Sequence, residues 1–297
     1  MTLRSRAALP LVSLAATAVV LVPVPAHAAT TIGQTFASVD PGSCGGGFLE
    51  AFQTGRADGT PYVAPAAGVL TSWSFMATAA NTTLTMRVFR LAAAPDQFTV
   101  VADAGPQQTV VANSGLHTFP ARVPVHAGDI IGVSASAGSC AAIGVAGDTG
   151  RYRNVAGANT PVGGTASYSS APGPLKYDLA AAWEPDIDGD GYGDESQDTC
   201  PQLAQTQGTC IPDTAITKKP KKSAAVSKVK FTSTLSGSTF VCRVDHTKAK
   251  RCTSPAKYRC LTPGKHTFSV FATNQLGQAD ATPATTKFRV SAHRRGC

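Results

Sequence analysis

Apolar side chains recur at every second position in short bursts along most of this chain. Leu84, Met86 and Val88 alternate with Thr85 and Arg87, and Ile131, Val133 and Ala135 repeat the pattern. Further on, Val229 and Phe231 alternate with lysines, followed by Phe240, Cys242 and Val244, then Phe268, Val270 and Ala272, then Phe288 and Val290. A period of two places one apolar face toward a core and the other toward water, as in a half-buried strand. From Thr30 to Trp183 the bursts are broken by Gly, Pro, Asn and Asp at intervals of about 8 to 12 residues, and no 3.6-residue period is sustained. The pattern predicts an all-β protein whose first half, residues 29–183, is a jelly-roll-like sandwich of antiparallel strands. Several short strands in the last 80 or so residues suggest an immunoglobulin-like sandwich over 212–297.

The extreme N-terminus departs from this pattern. Arg4 and Arg6 precede an apolar run from about Ala7 to Val22, then Pro23, Pro25 and the small-residue triplet Ala26-His27-Ala28. That arrangement predicts a secretory signal peptide over 1–28. The run is shorter than the roughly 20 apolar residues of a membrane span, and no other stretch is long and apolar enough, so no transmembrane segment is expected after cleavage. All eight cysteines lie beyond residue 28. Their even number in an exported chain points to disulfides, and the absence of any CxxC pair argues against zinc. The expected pairs are Cys44–Cys140, Cys200–Cys210, Cys242–Cys252 and Cys260–Cys297, although the last four cysteines by themselves permit three connectivities.

Charge divides the chain. Residues 29–183 carry 7 basic and 8 acidic side chains, 184–213 carry 8 acidic and no basic ones, and 214–297 carry 17 basic and 2 acidic ones. The exported length exceeds one compact core and suits two domains joined by a connector over 184–211. Within that connector Asp186, Asp188, Asp190 and Asp194 stand at relative positions 1, 3, 5 and 9, with Gly191 at 6. This is the spacing by which a short loop wraps carboxylates and one backbone carbonyl, here that of Tyr192, around calcium. Six acidic residues within the thirteen from Asp186 to Asp198 would repel one another without a cation.

The run Asp186-Ile187-Asp188-Gly189-Asp190-Gly191, followed by Cys200-Pro201, resembles the thrombospondin type 3 repeat over about 16 residues. The resemblance implies one bound Ca2+ held by Asp186, Asp188, Asp190, Tyr192 and Asp194. Position 12, where that family usually closes the site with a carboxylate, is Gln197 here. The closing ligand is then Asp198, one residue later, or Glu195.

Gly237 to Asp245, Cys252-Thr253-Ser254-Pro255, Gly264 to Phe268 and Thr282 to Thr285 resemble the bacterial immunoglobulin-like modules of secreted actinobacterial proteins, which often follow such an aspartate-rich repeat. This resemblance implies a sandwich and a surface setting without implying a ligand. It departs at Asn274-Gln275-Leu276-Gly277-Gln278.

No Gly-x-Ser-x-Gly elbow, His-Glu-x-x-His helix, Walker loop or dinucleotide fingerprint occurs, and the histidines are scattered, so no enzyme is expected. The excess of Lys and Arg after residue 213 reads either as attraction to an anionic cell-envelope polymer or polysaccharide, or as a solubilising complement to the acidic connector. Basic residues interleaved with aromatics are sparse, which argues against specific nucleic-acid recognition. The functional expectation is a secreted, extracellular, calcium-binding surface or matrix protein serving adhesion or cell-envelope association. The alternative is a carbohydrate-binding accessory protein using Trp73, Tyr152 or Trp183 of the first sandwich.

Overall fold

The computed structural model describes residues 29–37, 41–43, 48–155, 159–171, 173–220 and 226–291. The expected signal peptide, Cys44 and Cys297 lie outside them. Among the described residues the regular structure is entirely β. Fifteen strands precede the acidic segment: β1 (Thr30–Gln34), β2 (Pro41–Ser43), β3 (Phe48–Gly55), β4 (Gly68–Met76), β5 (Thr82–Leu91), β6 (Gln97–Asp103), β7 (Gln108–Val110), β8 (Leu116–Val125), β9 (Ile130–Ala137), β10 (Ser139–Ile143), β11 (Thr149–Val155), β12 (Thr165–Ser167), β13 (Ser169–Ser170), β14 (Leu175–Tyr177) and β15 (Leu179–Glu184). Seven follow it: β16 (Thr214–Lys218), β17 (Val226–Ser233), β18 (Thr239–Val244), β19 (Lys250–Cys252), β20 (Ala256–Arg259), β21 (Gly264–Thr273) and β22 (Ala284–Val290).

The first group forms a four-stranded sheet in the order β1-β15-β4-β8, an eight-stranded sheet with path β12-β6-β5-β9-β3-β11-β13 and β7 added on β5, and a small sheet β14-β10-β2. Among the described residues all strand pairings are antiparallel, and none joins a strand of the first group to one of the second. Alternate residues of the facing sheets meet in one core: Leu70, Trp73 and Phe75 from the four-stranded sheet against Leu84, Met86, Val88 and Val133 from the eight-stranded one. Trp73 is fully buried and Trp183 is 7 % exposed, so neither presents a face on which a sugar ring could stack.

The expectation of half-buried strands at 84–88 and 131–135 needs correction. Thr85, Arg87 and Ser134 are buried as well, because the outer face is covered: Arg87 and Ser134 bond Thr160 and Asn159, and Thr85 bonds the Gly105 carbonyl. A second apolar cluster, Phe52, Phe89, Phe98, Val100, Ile130 and Tyr168, fills this outer layer. Beside it Glu50 accepts hydrogen bonds from Arg87 Nη1 at 2.6 Å, the Thr160 amide at 2.6 Å, and the Thr160 and Tyr168 hydroxyls, each at 2.7 Å. Arg87 is also bound by Asp103 at 2.5 Å. The buried charges are tolerated because their polar atoms are paired.

In the second group β16-β17-β20 faces β19-β18-β21-β22, with Val229, Phe231 and Ala256 packed on Val244, Phe268, Val270 and Phe288. Disulfides join Cys200 to Cys210 and Cys242 to Cys252, with Cα separations of 5.2 and 5.8 Å. Cys140 and Cys260 are also disulfide-bonded.

Candidate metal centre

The acidic segment leaves β15 at Glu184 and reaches β16 through a chain of turns. Its conformation is written locally. The Asp186 carboxylate accepts the amides of Asp190 and Gly191, both at 3.0 Å, and the Asp190 carboxylate accepts the Tyr192 amide at 2.9 Å, so each aspartate turns the chain back over itself. Gly191 sits at φ 85°, a left-handed conformation that glycine adopts without steric cost, which is what position 6 of the loop requires.

The folding brings carboxylate oxygens of Asp186, Asp188 and Asp190 within 4.8 Å of one another. Asp194 is more occupied than the spacing suggests, since both of its oxygens accept the Ile187 amide, at 3.3 and 3.2 Å. Burial pushes the Asp194 carboxyl up to about 6, helped by the negative charges of Asp186, Asp188 and Asp198. Asp198 is 2 % exposed. Its Oδ1 accepts the Cys200 amide at 2.6 Å, while Oδ2 has no hydrogen-bond partner. Its carboxyl is raised by burial, with Asp190 and Asp186 adding repulsion. Asp188 is raised by burial and by Asp190, and its Oδ2 is likewise buried without a partner.

Three converging carboxylates, one of them carrying the orphaned Asp188 oxygen, form a donor set of hard oxygens that fits a hard divalent cation, while Asp194 and Asp198 stand outside that group of three. Of the two alternatives for the closing ligand, Glu195 is directed elsewhere: its carboxylate accepts the Ala29 amide at 3.0 Å and is exposed. Tyr192 lies in the loop with its ring 4.3 Å from the Arg122 guanidinium on β8.

Three residues of the site escape a reading based on acidic spacing. Glu184, grouped with the acidic connector by charge, is the last residue of β15 and 2 % exposed. It accepts the amides of Glu195 and Ser196 at 3.0 and 2.9 Å, and the hydroxyls of Ser196 and Thr71 at 2.6 and 2.9 Å. Burial disfavours its charge, but these bonds outweigh burial and hold the carboxyl below its usual range. Gln197 receives the Gly193 amide on its side chain and donates to the Ala121 carbonyl at 2.8 Å. Gln207 donates to Asp190 Oδ2 at 2.7 Å.

The segment is held from both sides. Beyond its contacts with β4 and β8, Cys200 and Leu203 pack with Leu235, the Ser236 hydroxyl bonds Gln205, and Asn274 donates to the Cys210 carbonyl at 2.8 Å. No protein-family model matches the chain, and no curated protein matches it.

Proposed function

We propose that this is a secreted modular surface or matrix protein without enzymatic activity. A jelly-roll-like sandwich over 29–183 and an immunoglobulin-like module over 212–297 are joined by a thrombospondin type 3-like calcium connector over 184–211. The observation that supports the calcium reading is the convergence of the Asp186, Asp188 and Asp190 carboxylates, with the Asp188 Oδ2 atom of that cluster buried and without a hydrogen-bond partner. Asp186, Asp188, Asp190, Asp194 and Asp198 by side chain and Tyr192 by its carbonyl would hold the ion, which would neutralise the crowded carboxylates. Its role is to stiffen a joint already packed on both sides, and thereby to set how the two sandwiches are presented at a cell envelope. A site of this extracellular type binds at about 10⁻⁴–10⁻³ M, suited to a medium where calcium is always present. Calcium titration by calorimetry on the wild type and on Asp188→Ala/Asp190→Ala tests the site: binding is expected in the first and absent in the second. Equal binding in both would place the ion elsewhere.

A further inference from the structure

The second sandwich is open along one side. β19 and β20 are consecutive in sequence but belong to different sheets, β19 to the sheet of β18, β21 and β22, and β20 to that of β16 and β17. Where they part, a cleft of about 760 Å³ opens between the sheets, within the range of ligand sites. Its apolar side includes the core residues Val244 and Ala256. Arg243, Lys248, Lys250, Arg251 and Lys257 also line it, and all five are exposed. Among the described residues none of these five makes an ion pair or a side-chain hydrogen bond.

The module has no means of neutralising them. Its only carboxylates beyond residue 213 are Asp245 and Asp280. Asp245 borders the cleft but is bound to His266 Nδ1 at 2.7 Å and to the Thr267 amide at 2.8 Å. Asp280 is buried and accepts the Thr214 and Thr282 amides at 2.9 and 2.7 Å. Five exposed cations border the cleft, on both faces of its edge, against the single carboxylate of Asp245, which is already paired, and this excess of positive charge suits several anionic groups rather than one.

The cleft also limits what links those groups. Tyr258 is the one aromatic residue lining it, and it is half-buried, with its ring edge-on to Phe268 at 5.8 Å. It therefore cannot serve as a stacking platform for bases. Lysine ammonium groups act on phosphate as point charges, and arginine adds bidentate contacts.

We infer that the cleft between β19 and β20 binds a stretch of flexible phosphate-linked polymer, recognising successive phosphates by charge and not their linkers by stacking. This deepens the surface-association reading and rests on it only for the source of the polymer.

The test titrates the intact protein with linear inorganic polyphosphate, comparing Lys248→Gln/Lys250→Gln/Lys257→Gln with Lys265→Gln/Lys287→Gln/Arg289→Gln. The second variant removes the same charge from exposed strand positions outside the cleft. The cleft variant is expected to bind about tenfold or more weakly, with its salt slope reduced by about 2, while the control changes by less than about threefold. Thermal melts of both variants establish that they remain folded. Equal losses in the two variants, or a loss in neither, would overturn the inference, as would tighter binding of an oligothymidylate of equal charge. Sedimentation with isolated cell envelope separates this idea from the broader one. Envelope binding that survives in the cleft variant overturns the cleft and leaves surface association standing. Cleft-dependent polyphosphate binding without any envelope binding does the reverse.

Discussion

Asp178, 1 % exposed between β14 and β15, accepts the Phe36 and Met76 amides, each at 3.2 Å. Burial pushes its carboxyl from 3.8 to about 7, against the pull of those two amides and of Lys176. The folded chain therefore holds this proton to higher pH than the unfolded one, and the group's contribution to stability falls as pH rises from about 4 to about 7, then levels off. Asp178→Asn removes the titration and one acceptor. Its urea midpoint should lie below that of the wild type at pH 4, with the gap narrowing by pH 8; a gap independent of pH would refute the assignment. At Glu50 the reasoning concerns pairing. Glu50→Ala leaves Arg87 buried with only Asp103 and the Thr160 carbonyl, and should cost about 3–5 kcal/mol in denaturant unfolding. Adding Arg87→Met should recover a substantial part of that loss. Neither role could be read from the residues: Arg87 looked like the solvent side of an alternating strand, and its burial depends on a segment more than 70 positions away.

At the scale of elements, alternation located the strands well because the side-chain period of a strand is local. It failed only for β5 and β9, where a second layer covers the outward face and both sets of side chains are buried. In the acidic connector, local chemistry again did most of the work: aspartates closing turns on their own backbone, and a glycine at φ 85°. The docking of that loop rests on close approach at Gly193. A Cβ there would collide with the Glu184 carboxylate and come within 2.6 Å of Thr71 Cγ2. Gly193→Ala should therefore lift the loop from β4 and β15 at a cost of about 1–3 kcal/mol, and weaken calcium binding severalfold although no proposed ligand is changed. Calorimetry on the variant tests this, with unaltered affinity as the adverse result.

Across the whole molecule, the connector packs against β8 on one side and against the loop after β17 on the other, so removal of the cation should loosen the joint and leave the two cores intact. Chelation should open residues near 184–198 to protease, with the remaining strands still protected from hydrogen exchange; simultaneous loss of protection in β5 or β21 would show that the ion stabilises more than the joint. Peptide mapping without reduction should link Cys140 to Cys44 and Cys260 to Cys297, keeping every bridge within one charge-defined portion of the chain. A peptide joining Cys44 to any cysteine beyond residue 199 would contradict the modular organisation.

What the amino-acid sequence determined by itself is the information carried by neighbours a few positions apart: the β period, the short-range Cys200–Cys210 disulfide, and the cluster of Asp186, Asp188 and Asp190. These follow from chain geometry, because residues at such spacing meet whatever the rest of the fold does. The tertiary structure alone decided which acids stand apart from that cluster. Glu184 became an anchor and Glu195 a partner of Ala29, while Asp198 was left with an orphaned oxygen among its fellow aspartates. It alone also parted β19 from β20 and set five cations around the cleft between them, since adjacency across sheets depends on topology, which no short stretch of sequence encodes.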